Sequence, residues 1–265
     1  MKIIAVTNIK GGVGKTTTAV NLAHLCAAGG RHTLLWDLDP QGAATYTLRG
    51  EPQEHASAKK LLAGKRQLPE LILPTENPNL DLLPADFSYR NFDVHLSGRK
   101  RPTERLLKMS RSLQEVYSAL FLDCPPGISL LSENVLRAAD AVIVPLVPTP
   151  LSVRMLVQLR EFIDAEGWSD LMLLPFFSMV DRRRSLHRDV MASTRELFPT
   201  MLATEVPYWS EIERMSERRA PIPAYAPSSA AAQIFVHLWT EIAALMWGEP
   251  PMSLVAPAAA RGEPA

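Results

Sequence analysis

Residues 2–23, KIIAVTNIKGGVGKTTTAVNLA, decide the architecture. The run IIAVT at 3–7 reads as a strand buried on both faces, and a helix is expected from 16 to 28, stopped by Gly29-Gly30. Between them lies GGVGKTT at 11–17, a glycine-rich turn leaving a strand and opening a helix. Glycines let backbone N–H groups curl round an anion, and the helix amino terminus adds partial positive charge. Gly11, Gly12, Val13 and Gly14 form this cradle, Lys15 can reach the β- and γ-phosphates of a nucleotide, and the Thr16 hydroxyl can bind Mg²⁺. Such a loop needs one lysine. Lys10 is a second, and the loop alone does not say what it does.

Working outward, strand-like runs recur: TLLWD at 33–37, LDLLPA at 80–85, ALFLDCPP at 119–126, AVIVPLVP at 141–148, LMLLPFF at 171–177 and ATEVP at 203–207. Runs apolar on successive residues suit strands covered on both sides, and helical patterns lie between them, at 132–139, 152–165 and 228–247. The expected fold is α/β, a doubly wound, mostly parallel sheet with helices on both faces. Residues 49–118 are expected to be irregular with short helices. Phe235, Leu238, Trp239, Ile242 and Leu245 fall at helical spacing and should pack the last helix on the sheet. Residues 1–248 read as one domain, and 249–265, rich in Pro and Ala without periodicity, as a disordered tail.

Bulk composition narrows the partners. The 265 residues carry a formal net charge of +0, so attraction to a polyanion must come from a local patch. The two cysteines, Cys26 and Cys124, lack metal-like spacing and suit a reduced, cytoplasmic protein. No signal-peptide pattern opens the chain, and no uninterrupted apolar stretch is long enough to span a bilayer.

Three carboxylates stand where a phosphate site would use them. Asp123 ends the run ALFLD, at the carboxyl end of a central strand, where it would orient the water shell of Mg²⁺. Asp37 and Asp39 follow the second strand in WDLDPQG and share a side if the chain stays extended, although a turn from Pro40 could rotate the second away. One of them could position a water for attack on a γ-phosphate.

With these residues in place, the chain resembles the ParA/MinD family of deviant Walker ATPases. KGGVGKTT is similar to that family's signature loop, WDLDPQGAAT to its switch I, FLDCPPG to its Walker B and switch II, and PIPAYAPSSAAAQ to the carboxyl-terminal segment of short ParA-type partition proteins. The resemblance implies a cycle between ATP and ADP with Mg²⁺, and an ATP-dependent homodimer in which Lys10 crosses to the partner's nucleotide. Coulomb's law agrees, since two facing Mg-nucleotides repel unless each half lends the other a cation. Gly11 would let the backbones approach. By the same carry-over Asp39 positions the attacking water, Asp37 lies nearer the metal's water shell, Thr17 meets the α-phosphate, and Met179, Asp181 and the loop from Pro207 face adenine.

The segments that mark other branches are missing: no helix-turn-helix is expected ahead of the first strand, and no basic amphipathic helix, as in membrane-bound MinD types, closes the chain. The resemblance therefore implies a nucleoid-associated ATPase that binds double-stranded DNA without sequence preference, is stimulated by a ParB-like cargo adaptor, and does not bind membrane. Candidate DNA contacts are Arg182, Arg183, Arg184 and Arg188 in DRRRSLHRD and Arg214, Arg218 and Arg219 in ERMSERR, with RKRPTER at 99–105 a further cluster.

Overall fold

The computed structural model describes residues 1–50 and 57–248. The chain runs β1 (Lys2–Val6), α1 (Lys15–Ala28), β2 (Thr33–Asp37), α2 (Ala43–Thr47), α3 (Ala58–Leu62), β3 (Leu73–Pro74), β4 (Leu80–Leu83), α4 (Phe92–Ser97), α5 (Arg105–Ser110) and β5 (Ala119–Asp123). It continues through α6 (Leu130–Ala138), β6 (Ala141–Leu146), α7 (Pro150–Ala165), β7 (Met172–Val180), α8 (Ser185–Leu197), β8 (Glu205–Pro207), α9 (Ser210–Arg218), α10 (Ile222–Tyr225) and α11 (Ala230–Trp247). One eight-stranded sheet holds the order β3-β4-β2-β5-β1-β6-β7-β8. All pairings are parallel except β3 with β4.

Strand period explains the two cores. Ile3 and Ala5 of β1 face one layer, built from α3 to α8, while Ile4 and Val6 face the other, which holds α1, α2 and α9 to α11. Helix α11 buries Phe235, Leu238, Trp239, Ile242 and Met246 against the second face, each such side chain stabilising by about 1.5–3 kcal/mol. Leu245, expected in that stripe, is 54% exposed, and Met246 takes the buried place one residue on. With 18 residues and a mean hydropathy of 1.2, α11 is long and apolar enough to span a bilayer, yet half of it is buried in this core.

Three helices start where a side-chain cap stands, a little before or after the start that their periodic residues suggest. Ser129, Thr149 and Ser229 each accept a hydrogen bond from the N–H three residues on, so α6 begins at Leu130 and α7 at Pro150, two residues early, and α11 at Ala230, two residues late. Strand β7 runs on to Val180, past the expected end at 177. Within 49–118 the described residues do form short helices and turns, with β3 and β4 closing one sheet edge. The stretch read as a disordered tail lies outside the described residues.

Candidate nucleotide site

The loop between β1 and α1 opens beside β5 and β6, where parallel strands diverge and ligands of such sheets sit. Asn8 anchors it, its Nδ2 donating to the Pro145 carbonyl at 2.7 Å and its Oδ1 accepting the Lys10 N–H at 2.9 Å. Gly14 has φ +92°, which favours glycine, and a Cβ there would lie 3.2 Å from Ser178 Oγ. Val13 is buried and Gly11 exposed. Lys15 is 7% exposed and its Nζ donates to the Lys10 carbonyl at 3.1 Å. Burial lowers its pKa, with Asp123 and then Asp39 opposing. The Lys10 side chain, by contrast, is exposed. The loop thus splits its two lysines, one folded into the chain's own site and one turned out of it.

The carboxylates gather beside Lys15. Asp37 accepts the Thr45 N–H and hydroxyl, both at 2.8 Å, and the Asp39 N–H at 3.2 Å. Burial nevertheless pushes its carboxyl up to about 6. Asp123 is fully buried, and neither of its oxygens has a hydrogen-bond partner. Burial, then the charge of Asp37, holds it well above the ordinary range, the nearby Thr16 hydroxyl opposing. The turn foreseen at Pro40 forms, with the Gly42 N–H donating to the Asp39 carbonyl at 2.9 Å, yet half-buried Asp39 stays close enough to raise the Lys15 pKa.

Two buried acids, one of them orphaned, need positive charge that Lys15 alone does not supply. That fits a divalent cation: Thr16 would ligate Mg²⁺, and Asp123 and Asp37 would take its waters. Among the described residues no cluster of three or more His, Cys, Asp or Glu could cage a metal, which suits an ion completed by phosphates.

Next to the loop is a cavity of ≈ 420 Å³ that brings together Gly12, Gly14, Thr16 and Thr17 with Met179 and Pro207. Met179 holds a left-handed φ of 55° where the pairing of β7 with β8 shifts register between Ser178 and Val180. Tyr208, Trp209 and Ile212 extend the apolar wall. Asp181 is not in this cavity. It lines a neighbouring hollow of ≈ 670 Å³, and the Arg183 guanidinium grips its carboxylate at 2.9 and 3.0 Å, lowering its pKa to about 2. The sequence missed Thr45, whose hydroxyl both holds Asp37 and accepts the Ala85 N–H at 2.8 Å: it ends the segment WDLDPQGAAT, but nothing in that segment shows that a residue 40 positions on meets it.

The candidate DNA arginines divide. Arg182 pairs with Glu205 at 2.9 Å, and Arg188 donates to the Arg182 carbonyl at 2.7 Å. Arg184 is exposed at the start of α8. Arg214 and Arg218 are exposed on α9 among Glu211, Glu213 and Glu217. Arg219 turns inward instead: its Nε donates to the Tyr46 carbonyl at 3.0 Å and its guanidinium lies 4.5 Å from the Tyr46 ring centre.

Known proteins are similar to this chain along most of its length. A family model described as an AAA domain matches residues 1–166. The chain is 32% identical over 249 residues to the sporulation initiation inhibitor protein Soj of Bacillus subtilis (strain 168), covering 92% of this chain and 98% of Soj. It is 32% identical over 250 residues to the chromosome partitioning protein ParA of Caulobacter vibrioides (strain NA1000 / CB15N), covering 91% and 94%. Cobyrinic acid a,c-diamide synthase from Mycobacterium smegmatis, solved with an ATP analog and magnesium, superposes with a TM-score of 0.79 at 27% identity, covering 97% and 100%. These matches run along nearly the whole length of the chain and of its relatives, and the chain belongs to the ParA/MinD family of P-loop ATPases.

Proposed function

We propose that this protein is an ATP-driven positional switch that partitions or positions cargo on the nucleoid. ATP closes a homodimer, the closed dimer binds DNA without sequence preference, a cargo-linked adaptor of ParB type stimulates hydrolysis, and the ADP-bound protomers leave. The observation that carries this reading is the division of labour between the two lysines. Lys15 donates within its own loop, whereas the Lys10 side chain, next to Gly11, is exposed and has no hydrogen bond or ion pair among the described residues. A cation there is available to a facing nucleotide, as in trans-acting fingers.

The chemistry asked of the chain's own groups is modest. Lys15 and the loop N–H groups would hold the phosphates, Thr17 the α-phosphate, and Asp39 would orient the attacking water. Mg²⁺, when bound, would neutralise the phosphate charge. Moving the population from mostly open to mostly closed needs a preference of about 5.5 kcal/mol. Contacts completed only by a γ-phosphate, from Lys10 and the DLDPQ turn, would be lost on hydrolysis and reset the switch. The exposed arginines 182–184 line the hollow beside the cavity next to the loop.

A cytoplasmic location follows from this reading. Its test is mass and duplex binding measured together, with ADP and then with a non-hydrolysable ATP analogue. Dimer and DNA complex should both appear only with the analogue, and DNA binding independent of nucleotide would overturn the switch. A second reading, an ATP-dependent amidase or ligase, draws on the likeness to cobyrinic acid a,c-diamide synthase and on the ≈ 670 Å³ hollow beside the base cavity. Turnover that requires a small carboxylic acid, and ignores DNA, would favour it.

A further inference from the structure

We infer that the main DNA-binding surface lies along α5 and its flanking turns, on the opposite face of the sheet from α1 and α11. This rests on the DNA-binding reading above and says which cations meet the phosphates.

Charge separates the candidates. Residues 99–111, RKRPTERLLKMSR, hold six Lys or Arg against one carboxylate, Glu104. Residues 181–189 hold four arginines against two aspartates, and 211–219 three arginines against three glutamates. In a chain with no net charge, the 99–111 segment is therefore the strongest local source of positive field among the three.

Pairing widens the gap. Around α8 Arg182, Arg183 and Arg188 are held from within, by Glu205, Asp181 and the Arg182 carbonyl, and on α9 Arg219 lies on Tyr46, while Arg184, Arg214 and Arg218 stay exposed. Releasing such groups for DNA costs the bonds they already make. On α5, Glu104 is occupied by Arg101 at 3.4 Å and Arg137 at 3.0 Å, while Lys108 and Arg111 are exposed with no ion pair among the described residues. Arg105 Nε is buried without a hydrogen-bond partner.

Shape fits a phosphodiester chain. Arg105, Lys108 and Arg111 recur every third residue, so they share one side of α5 and the turn beyond it, over about 9 Å at 1.5 Å per residue. That length reaches two or three phosphates of one strand at 3.4 Å axial rise each. Hollows of ≈ 370 Å³ and ≈ 380 Å³ lie on either side, with Arg105 and Lys108 lining both. Between the cations Leu106 is buried and Leu107 and Met109 half-buried, so an acidic peptide would find few apolar anchors, whereas a nucleic-acid backbone needs none.

The stripe is also rigidly mounted. Buried Asn134 of α6 accepts the Arg105 N–H at 2.9 Å and the Leu106 N–H at 3.2 Å, and donates to the Pro102 carbonyl at 2.7 Å. Helix α6 follows the loop that leaves Asp123, so the surface is carried by the element next to the phosphate site.

The test uses the full chain with a non-hydrolysable ATP analogue and Mg²⁺, a short labelled duplex, and a salt titration. Lys108→Glu with Arg111→Glu should weaken binding about tenfold or more and cut the salt slope by about 2, while Arg183→Glu with Arg184→Glu changes affinity less than about threefold. Nucleotide affinity and dimer mass, measured on every variant, report folding, and Lys108→Gln with Arg111→Gln repeats the test with a milder change. Wild-type affinity and slope in the α5 variants, beside a large loss in the α8 pair, overturns the inference. If the wild-type dimer binds no duplex, the DNA reading itself fails. A labelled poly-glutamate peptide bound in place of duplex, and lost in the α5 variants, would assign the stripe to an acidic protein and equally overturn it.

Discussion

Asp37 and Asp123 stand opposite each other on adjacent parallel strands, β2 and β5, both without solvent exposure, and only Asp37 is hydrogen-bonded. The free chain holds two acids that repel each other beside one buried lysine. This arrangement costs stability until phosphate-bound Mg²⁺ arrives.

The pH dependence has a defined sign. Asp37 is raised from 3.8 to about 6, and Asp123 is raised as well, so the folded chain binds these protons more tightly than the unfolded one. Their contribution is greatest below the unfolded value and is lost as pH climbs through the folded one. Nucleotide-free protein should therefore lose thermal stability between about pH 4 and pH 6 from Asp37, with a loss of the same sign from Asp123. Replacing one acid with Asn removes the repulsion: Asp123→Asn should raise the Tm of the nucleotide-free protein near neutral pH by about 2–4 °C, for ~1 kcal/mol. It should also abolish the extra stabilisation that Mg²⁺ adds to ADP. An unchanged Mg²⁺ response, by calorimetry, would remove Asp123 from the metal's surroundings.

Lys15→Ala should weaken ATP binding by about a hundredfold or more, ~3 kcal/mol, because the loop loses its buried cation while Asp123 and Asp39 stay. Isothermal titration reads this directly, and near-normal affinity would mean that the loop is not the phosphate site.

Asp39→Ala separates binding from turnover. The side chain is half-buried and accepts only the Gln41 N–H, at 2.9 Å, among the described hydrogen bonds, so its removal should spare the fold. ATP binding and dimer mass should persist while phosphate release falls at least about a hundredfold. A variant turning over at the wild-type rate takes Asp39 out of the chemistry.

Arg219→Ala should act on the fold and leave DNA alone. It removes the contact with Tyr46, joining α9 to the helix that holds Asp37, and should cost about 0.5–1 kcal/mol in denaturant unfolding. A changed salt slope of DNA binding with unaltered stability would return Arg219 to the phosphate-contact surface.

Much of this was legible in the chain because the informative residues are adjacent in it. TLLWD and ALFLD are strands over the residues expected, and their final aspartates meet because parallel strands in register bring equivalent ends together. GGVGKTT needed only a strand before it and a helix after it. What escaped depends on distant partners. Thr45 matters because Asp37 and the Ala85 N–H converge on it, and Asp181 lies outside the cavity beside the loop, paired with Arg183. The ranking of the cationic clusters also had to wait, since spacing lists arginines but not the acids that meet them in space. In 73–83 the short antiparallel β3 and its turn hid the edge of the sheet, two residues being too few to show a period.

The central claim is that Lys10 acts across the dimer. Light-scattering mass of wild type and Lys10→Ala, each with saturating Mg²⁺ and a non-hydrolysable ATP analogue and again without nucleotide, tests it most directly. The account predicts a dimer for wild type with the analogue only, and a monomer for Lys10→Ala that still binds the analogue; a wild-type mass indifferent to nucleotide, or a fully dimeric Lys10→Ala, would contradict it.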